Sequence, residues 1–214
     1  MSQGTFRRAR RPEQKQERRE AILAAARDLA VRSGVRNVTL GYIASAVCLA
    51  KSNVVRYFGT REEIYLELTA REWHDWERAV LERLQAGDDL VDVLAETLEE
   101  RPLFCDLLSQ CATNLEHNVS VEAARAFKLD SIHVIEELGA VIARVHPGLT
   151  AGEGAELVGA AAGLASLLYP SAHPPPVLAE LYTHDPAVAA AVGQFVPTVK
   201  RMLAALVAGL PTLR

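Results

Sequence analysis

Cysteine is scarce in this 214-residue sequence: three residues, an odd number, give no disulfide framework and suit a reducing compartment. Aromatics make up only 6%, and the six histidines are scattered, with no pair at ligand spacing on one helix face. No apolar run approaches the ~18 residues that cross a bilayer. The longest, Leu157 to Tyr169, has 13. No apolar segment follows the basic start MSQGTFRRARRPEQKQERRE, so neither a signal peptide nor membrane attachment is expected, and the predicted location is the cytoplasm. H-E-x-x-H, C-x-x-C and Gly-rich phosphate loops are missing, and no nucleophile–base signature stands out. The expectation is a protein without catalytic residues, metal or cofactor. Alternating Val/Ile/Thr-rich runs are also lacking, which argues against a sheet.

Half of the residues are hydrophobic, enough for a sizeable core, and the length suits one mid-sized domain or a small one fused to a larger. Abundant alanine, with 19 Arg against 4 Lys, points to a GC-rich bacterial genome. The net charge of −4 hides a split between +9 over residues 1–61 and −13 over residues 62–214. A basic end on an acidic chain suits a segment that meets a polyanion, although a solubilising tail would look the same.

Helical period and turn signals divide nearly the whole chain. The first eleven residues read as a disordered basic arm, and Pro12 suits a first helical position. Ile22, Ala25, Ala26 and Leu29 make one apolar stripe, closed by Gly34 in the C′ role. Thr39 caps a short helix that turns Ile43, Ala44 and Val47 inward. A turn at Cys48-Leu49 leads to a third helix, about Lys51 to Phe58. Thr60-Arg-Glu-Glu63 is a capping box for a long helix to about Ala86, and Thr150 with Glu153 is a second. Further helices are expected at 89–100, 102–117, 120–145 and 150–170. The His173-Pro-Pro-Pro176 loop interrupts the pattern, Asp185-Pro186 restarts it, and Pro197 should kink or split the last helix.

Two short helices joined by a tight turn inside the basic segment form the layout of a helix-turn-helix, whose second helix enters the major groove. Lys51, Ser52, Asn53, Arg56 and Tyr57 can donate to phosphates or base edges. Thr39 and Arg61, at flanking helix starts, are expected to hold phosphates. A solvated polar face is the plain alternative, and the charge split together with the turn favours DNA. The stretch VTLGYIASAVCLAKSNVVRYFGTREEIYLEL, residues 38–68, resembles the DNA-binding signature of the TetR family of bacterial transcriptional repressors. Thr39, Ile43, Ala44, Lys51, Tyr57, Phe58, Arg61, Glu62 and Glu63 carry the likeness. Three positions depart from it. Cys48 stands where the family often has Gly, Ala50 where a Ser cap is favoured, and Val55 where Tyr is common. A residue with a Cβ loses roughly 1 kcal/mol in the left-handed conformation that a turn glycine adopts.

Cys105, Cys111 and His117 recur every six residues, but six steps rotate a helix by ~240°, so they point apart and buried thiols are the expected reading. Trp73 and Trp76, with Phe104, Phe127 and Tyr169 on helices that could meet them, read either as core or as the walls of an effector pocket. The resemblance favours the pocket. Residues 150–169 are small and apolar on nearly every side, so this helix must be buried. Gly159 and Gly163, flanked by Ala155, Ala162 and Ser166, could let another backbone approach, from this chain or from a second copy. The resemblance implies a four-helix dimer interface made with the terminal helix.

The sequence thus predicts an all-α protein with a basic arm at 1–11, a helix-turn-helix domain at 12–60 and an effector-binding and dimerisation domain at 61–214. The expected function is sequence-specific transcriptional regulation: a homodimeric repressor released from a palindromic double-stranded DNA operator by a small apolar effector. The rival is a helical protein-interaction module without specific DNA binding.

Overall fold

A computed structural model describes residues 6–214, and every regular element among them is helical. The arm expected over 1–11 lies outside the described residues up to residue 5. From Phe6 the chain is already in α1, Phe6–Ser33, so Pro12 falls inside this helix rather than at its start. The apolar stripe of α1 turns slightly from the expected one. Ile22, Leu23, Ala26 and Ala30 are buried, while Ala25 and Leu29 are half-buried. Gly34 ends the helix with φ 80° and a 2.7 Å bond from its N–H to the Ala30 carbonyl.

Helix α2, Leu40–Ala46, is capped by Thr39, whose hydroxyl accepts from the Tyr42 N–H at 3.2 Å. It buries Ile43 and Ala44 against α1. Helix α3, Lys51–Val55, is shorter than expected because tighter turns carry the chain through Tyr57 and Phe58. Val54 and Phe58 are buried, so these three helices share one small core.

Helix α4, Arg61–Gln85, runs from that core into the larger bundle formed by α5 (Leu90–Glu99), α6 (Pro102–Gln110), α7 (Val121–Val145), α8 (Ala151–Ala172) and α11 (Phe195–Gly209). Thr60 caps α4 through the Glu63 N–H, but the reciprocal half of the expected box is diverted. The Glu63 carboxylate accepts instead from the Gly59 and Ser120 N–H groups, both at 2.9 Å. The box at Thr150 and Glu153 closes in both directions. A π-helical turn, Cys111–Leu115, ends α6 earlier than the expected 117. Two short helices, α9 (Pro176–His184) and α10 (Pro186–Ala191), pack mainly on each other. The last helical segment breaks at 192–194, leaving Pro197 in the first turn of α11. Residues 186–213 are long and apolar enough for a membrane span by composition, but they form two separate helices, and Phe195, Val199 and Leu203 are buried in the bundle.

Helices α7 and α8 cross at close range. A Cβ added to Gly154 would lie 2.5 Å from the Gly139 carbonyl oxygen, and one on Gly139 would lie 2.5 Å from the Ala155 nitrogen. Only glycine permits this backbone approach.

Candidate DNA interface and its link to the bundle

Helix α3 presents Lys51, Ser52, Asn53 and Arg56 to solvent, all exposed. Val54 anchors the opposite side, so helix period leaves the polar groups facing out. Tyr57 is only half-buried, and its carbonyl accepts from Arg19 at 2.8 Å. Thr39 is exposed and spends an oxygen lone pair on its cap, which leaves its O–H for a phosphate. Ala50, at the start of α3, makes no side-chain cap. Cys48 holds φ 54°, so the turn does adopt the left-handed conformation that usually falls to glycine.

Residues that the sequence reading missed join this face. Lys15 and Arg18 of α1 line a cleft of 360 Å³ with Asn53, Arg56 and Tyr57. Their signal was the i, i+3 spacing of two bases within the +9 segment. Tyr42 on α2, 61% exposed, adds a phenol to the same unit. A concave surface with three cations and an amide suits a phosphate backbone and a base edge.

Arg61 is a correction. Rather than reaching out for a phosphate, its guanidinium turns inward to the Val35 and Val38 carbonyls, pairs with Glu62 at 2.9 Å and lies 4.8 Å above the Tyr65 ring. The side chain is 15% exposed. Its role is to fasten the start of α4 to the turn after α1. Asp106 of α6 holds the same turn by accepting the Val35 N–H at 2.7 Å.

The five aromatics expected to wall one pocket separate into three places. Trp73, Trp76 and Phe104 are buried and pack on one another with ring centroids 5.3 to 5.8 Å apart, and Trp76 Nε1 donates to Thr97 at 2.8 Å. They are core. Phe127 lines a cleft against α4 and α1, while Tyr169 packs on His173 and Phe195 elsewhere. Burial pushes the Tyr169 phenol up to about 12.

Burial likewise pushes the Cys105 and Cys111 thiols up to about 12, keeping both protonated and unreactive near neutral pH. Glu72 is also raised by burial, against the pull of Arg27 at 2.9 Å. For His74, burial disfavours the charged ring, but hydrogen bonds to Asp130 at 3.0 Å and Glu77 at 3.2 Å outweigh it and raise the pKa.

The small residues of α8 also divide. Ala155 belongs to the crossing with α7, and Ala162 is buried within the bundle. Gly159 and Gly163 face open space, with no described residue within 4 Å of an added Cβ. Ser166 bonds back to the Gly163 carbonyl, and Leu167 beside it is 70% exposed.

Residues 22–68 match the family described as bacterial regulatory proteins, tetR family, and residues 70–214 match the tetracyclin repressor-like C-terminal domain. The chain belongs to the TetR family. It is therefore a DNA-binding, ligand-responsive transcriptional regulator and not an enzyme. Among solved structures, the TetR-family repressor FadR of Thermus thermophilus, in complex with lauroyl-CoA, is similar at 19% identity and TM-score 0.55. That match covers 88% of this chain and 92% of the other. FadR of Bacillus halodurans is similar at 12% identity and TM-score 0.53, over 88% and 94%. These likenesses are of fold. No curated protein matches the sequence.

Proposed function

We propose that this TetR-family chain is a homodimeric repressor that acts in the cytoplasm. It holds a palindromic operator through α2, α3 and the adjoining bases of α1, and a small apolar effector releases it. The observation that carries the reading is the exposed pair Asn53 and Arg56 sharing one cleft with Lys15 and Arg18, with Lys51 exposed on the same short helix. Residues 12–60 act as the head and 61–214 as the body that binds effector and partner.

Support for a second copy comes from the outward face of α8. Gly159, Gly163 and Leu167 recur at one-turn spacing on α8, and the adjoining α11 also exposes Met202 and Ala205. Such a face can pair with its own image to form a four-helix contact. An apolar effector would correspond to the lauroyl chain, not the anionic coenzyme A part, of the ligand held by the similar Thermus thermophilus repressor.

Selection of bound duplexes from a random pool tests the reading. The expected outcome is one palindromic site with half-sites about one helical turn apart, or a multiple of it. A protein that enriches no sequence is instead the interaction module.

A further inference from the structure

A cleft of 440 Å³ opens where the three-helix unit meets the bundle, between α1, the turn after α3, α4 and the first half of α7. Phe58, Leu66 and Phe127, all buried, form its floor, with Ala70, Ala123 and Ala126 along the sides. The volume falls in the range of small-molecule sites, and the walls are of the apolar kind that such sites use.

Its rim is charged but already paired. Arg19 meets Glu67, and Arg71 meets Glu20 at 2.6 Å and Glu67 at 3.0 Å. Both His74 ring nitrogens are engaged. An anionic head group would have to displace a carboxylate from each of these cations. Asp130, by contrast, lines the cleft and meets His74 through one carboxylate oxygen, so its second oxygen can take a donor. The site therefore fits an uncharged ring compound with one N–H or O–H group.

The position of the cleft gives it leverage over DNA binding. Arg19 lies 4.0 Å over the Phe58 ring and holds the Tyr57 carbonyl, so one wall is the turn that ends the DNA-facing unit. Tyr57 also lines the basic cleft with Lys15, Arg18, Asn53 and Arg56, so one residue borders both cavities. The opposite wall, α7, is tied to the start of α4. The Thr60 hydroxyl donates to the Asn118 carbonyl at 2.7 Å, the Asn118 amide to Glu62 at 3.1 Å and the Ser120 N–H to Glu63 at 2.9 Å.

We infer that this junction cleft is an effector site for compact, uncharged aromatic molecules carrying one hydrogen-bond donor, and that filling it displaces the Tyr57–Phe58 turn. The inference rests on the regulator reading above. A ligand shifts the equilibrium only by binding the DNA-incompetent arrangement more tightly.

N-phenyl-1-naphthylamine, uncharged with two aromatic groups and one N–H, is a fluorescent probe of the required chemistry. With the full chain, its emission should rise on binding, and operator affinity should fall about tenfold over the same concentration range. Ala123→Leu with Ala126→Leu fills the cleft from half-buried and exposed positions of α7. This variant should bind the probe about tenfold or more weakly, bind operator as well as the parent without probe, and resist release by it. Ala172→Leu, in a separate cavity under α9, should leave probe binding unchanged. No probe binding by the parent, or equal binding by the α7 variant, overturns the site. Probe binding at the cleft with operator affinity unchanged overturns its regulatory role while the regulator reading stands. A chain that binds probe but no DNA fails at the regulator reading itself.

Discussion

Cys48 holds a φ of 54° with a Cβ attached, in the turn that sets the angle between α2 and α3. The left-handed conformation costs a non-glycine residue ~1–2 kcal/mol, part of which glycine returns as extra freedom in the unfolded chain. Cys48→Gly should therefore stabilise the protein by about 0.5–1 kcal/mol, read as a higher denaturation midpoint. Arg61 makes a sharper case at the same scale. As a phosphate contact, its removal would weaken every DNA site evenly. Bonded as it is to two backbone carbonyls, Arg61→Ala should instead lower fold stability by about 1–3 kcal/mol and leave the salt dependence of residual DNA binding intact. Lys51→Ala with Arg56→Ala should do the reverse, keeping stability and making the log–log salt slope shallower by about 2. An unchanged slope in that double variant would move the DNA face to another helix.

Helix crossings and helix ends decide the effects of the next scale. Gly154→Ala must push apart α7 and α8, where backbone lies 2.5 Å from the new carbon, and should cost about 1–3 kcal/mol or more. Gly159→Ala, one and a half turns on in the same helix, meets nothing and should leave thermal stability nearly unchanged. Similar losses in the two variants would mean that the crossing lies elsewhere. The start of α8 also carries a pH signature. The Arg214 guanidinium, with the Thr150 N–H, holds the Glu153 carboxyl at about 2 against an ordinary 4.5. A depressed carboxylate stabilises the fold above its unfolded pKa, and that contribution drains away as pH falls from about 4.5 towards about 2. Arg214→Ala should thus be less stable than the parent near neutrality, and the two stability curves should converge on acidification through that window.

Across the whole molecule, charge and symmetry act together. The basic unit sits at one end of an otherwise acidic chain, so a long-range field turns that end towards DNA and the rest away. In the proposed dimer, two such ends held at fixed spacing would read a two-fold operator, and losing one would remove half of the contacts. Gly159→Leu with Gly163→Leu should split the proposed dimer in light scattering and weaken operator binding steeply, with the helical content of each chain kept. A variant that remains dimeric would place the partner on a different face.

Local signals made much of this protein legible in its residues alone. Thr39, Thr60, Thr150 and Asp185 cap helices because a side-chain oxygen reaches an N–H within three residues, a distance set by backbone geometry alone. The helix-turn-helix was equally readable, since its order, spacing and basic charge are all short-range. Whatever depended on a second helix was not. Period places Trp73, Trp76 and Phe127 on inward faces, but only the distance between facing helices makes the first two core and leaves the third beside a cleft. Arg61 looked like a free cation until the turn after α1 folded back to offer it two carbonyls. The glycines of α8 divided for the same reason. Gly154 meets α7 at the crossing, while Gly159 and Gly163, five and nine residues on, are turned by about 140° and 180° to the opposite side of the helix, and only the placement of α7 says which side is covered.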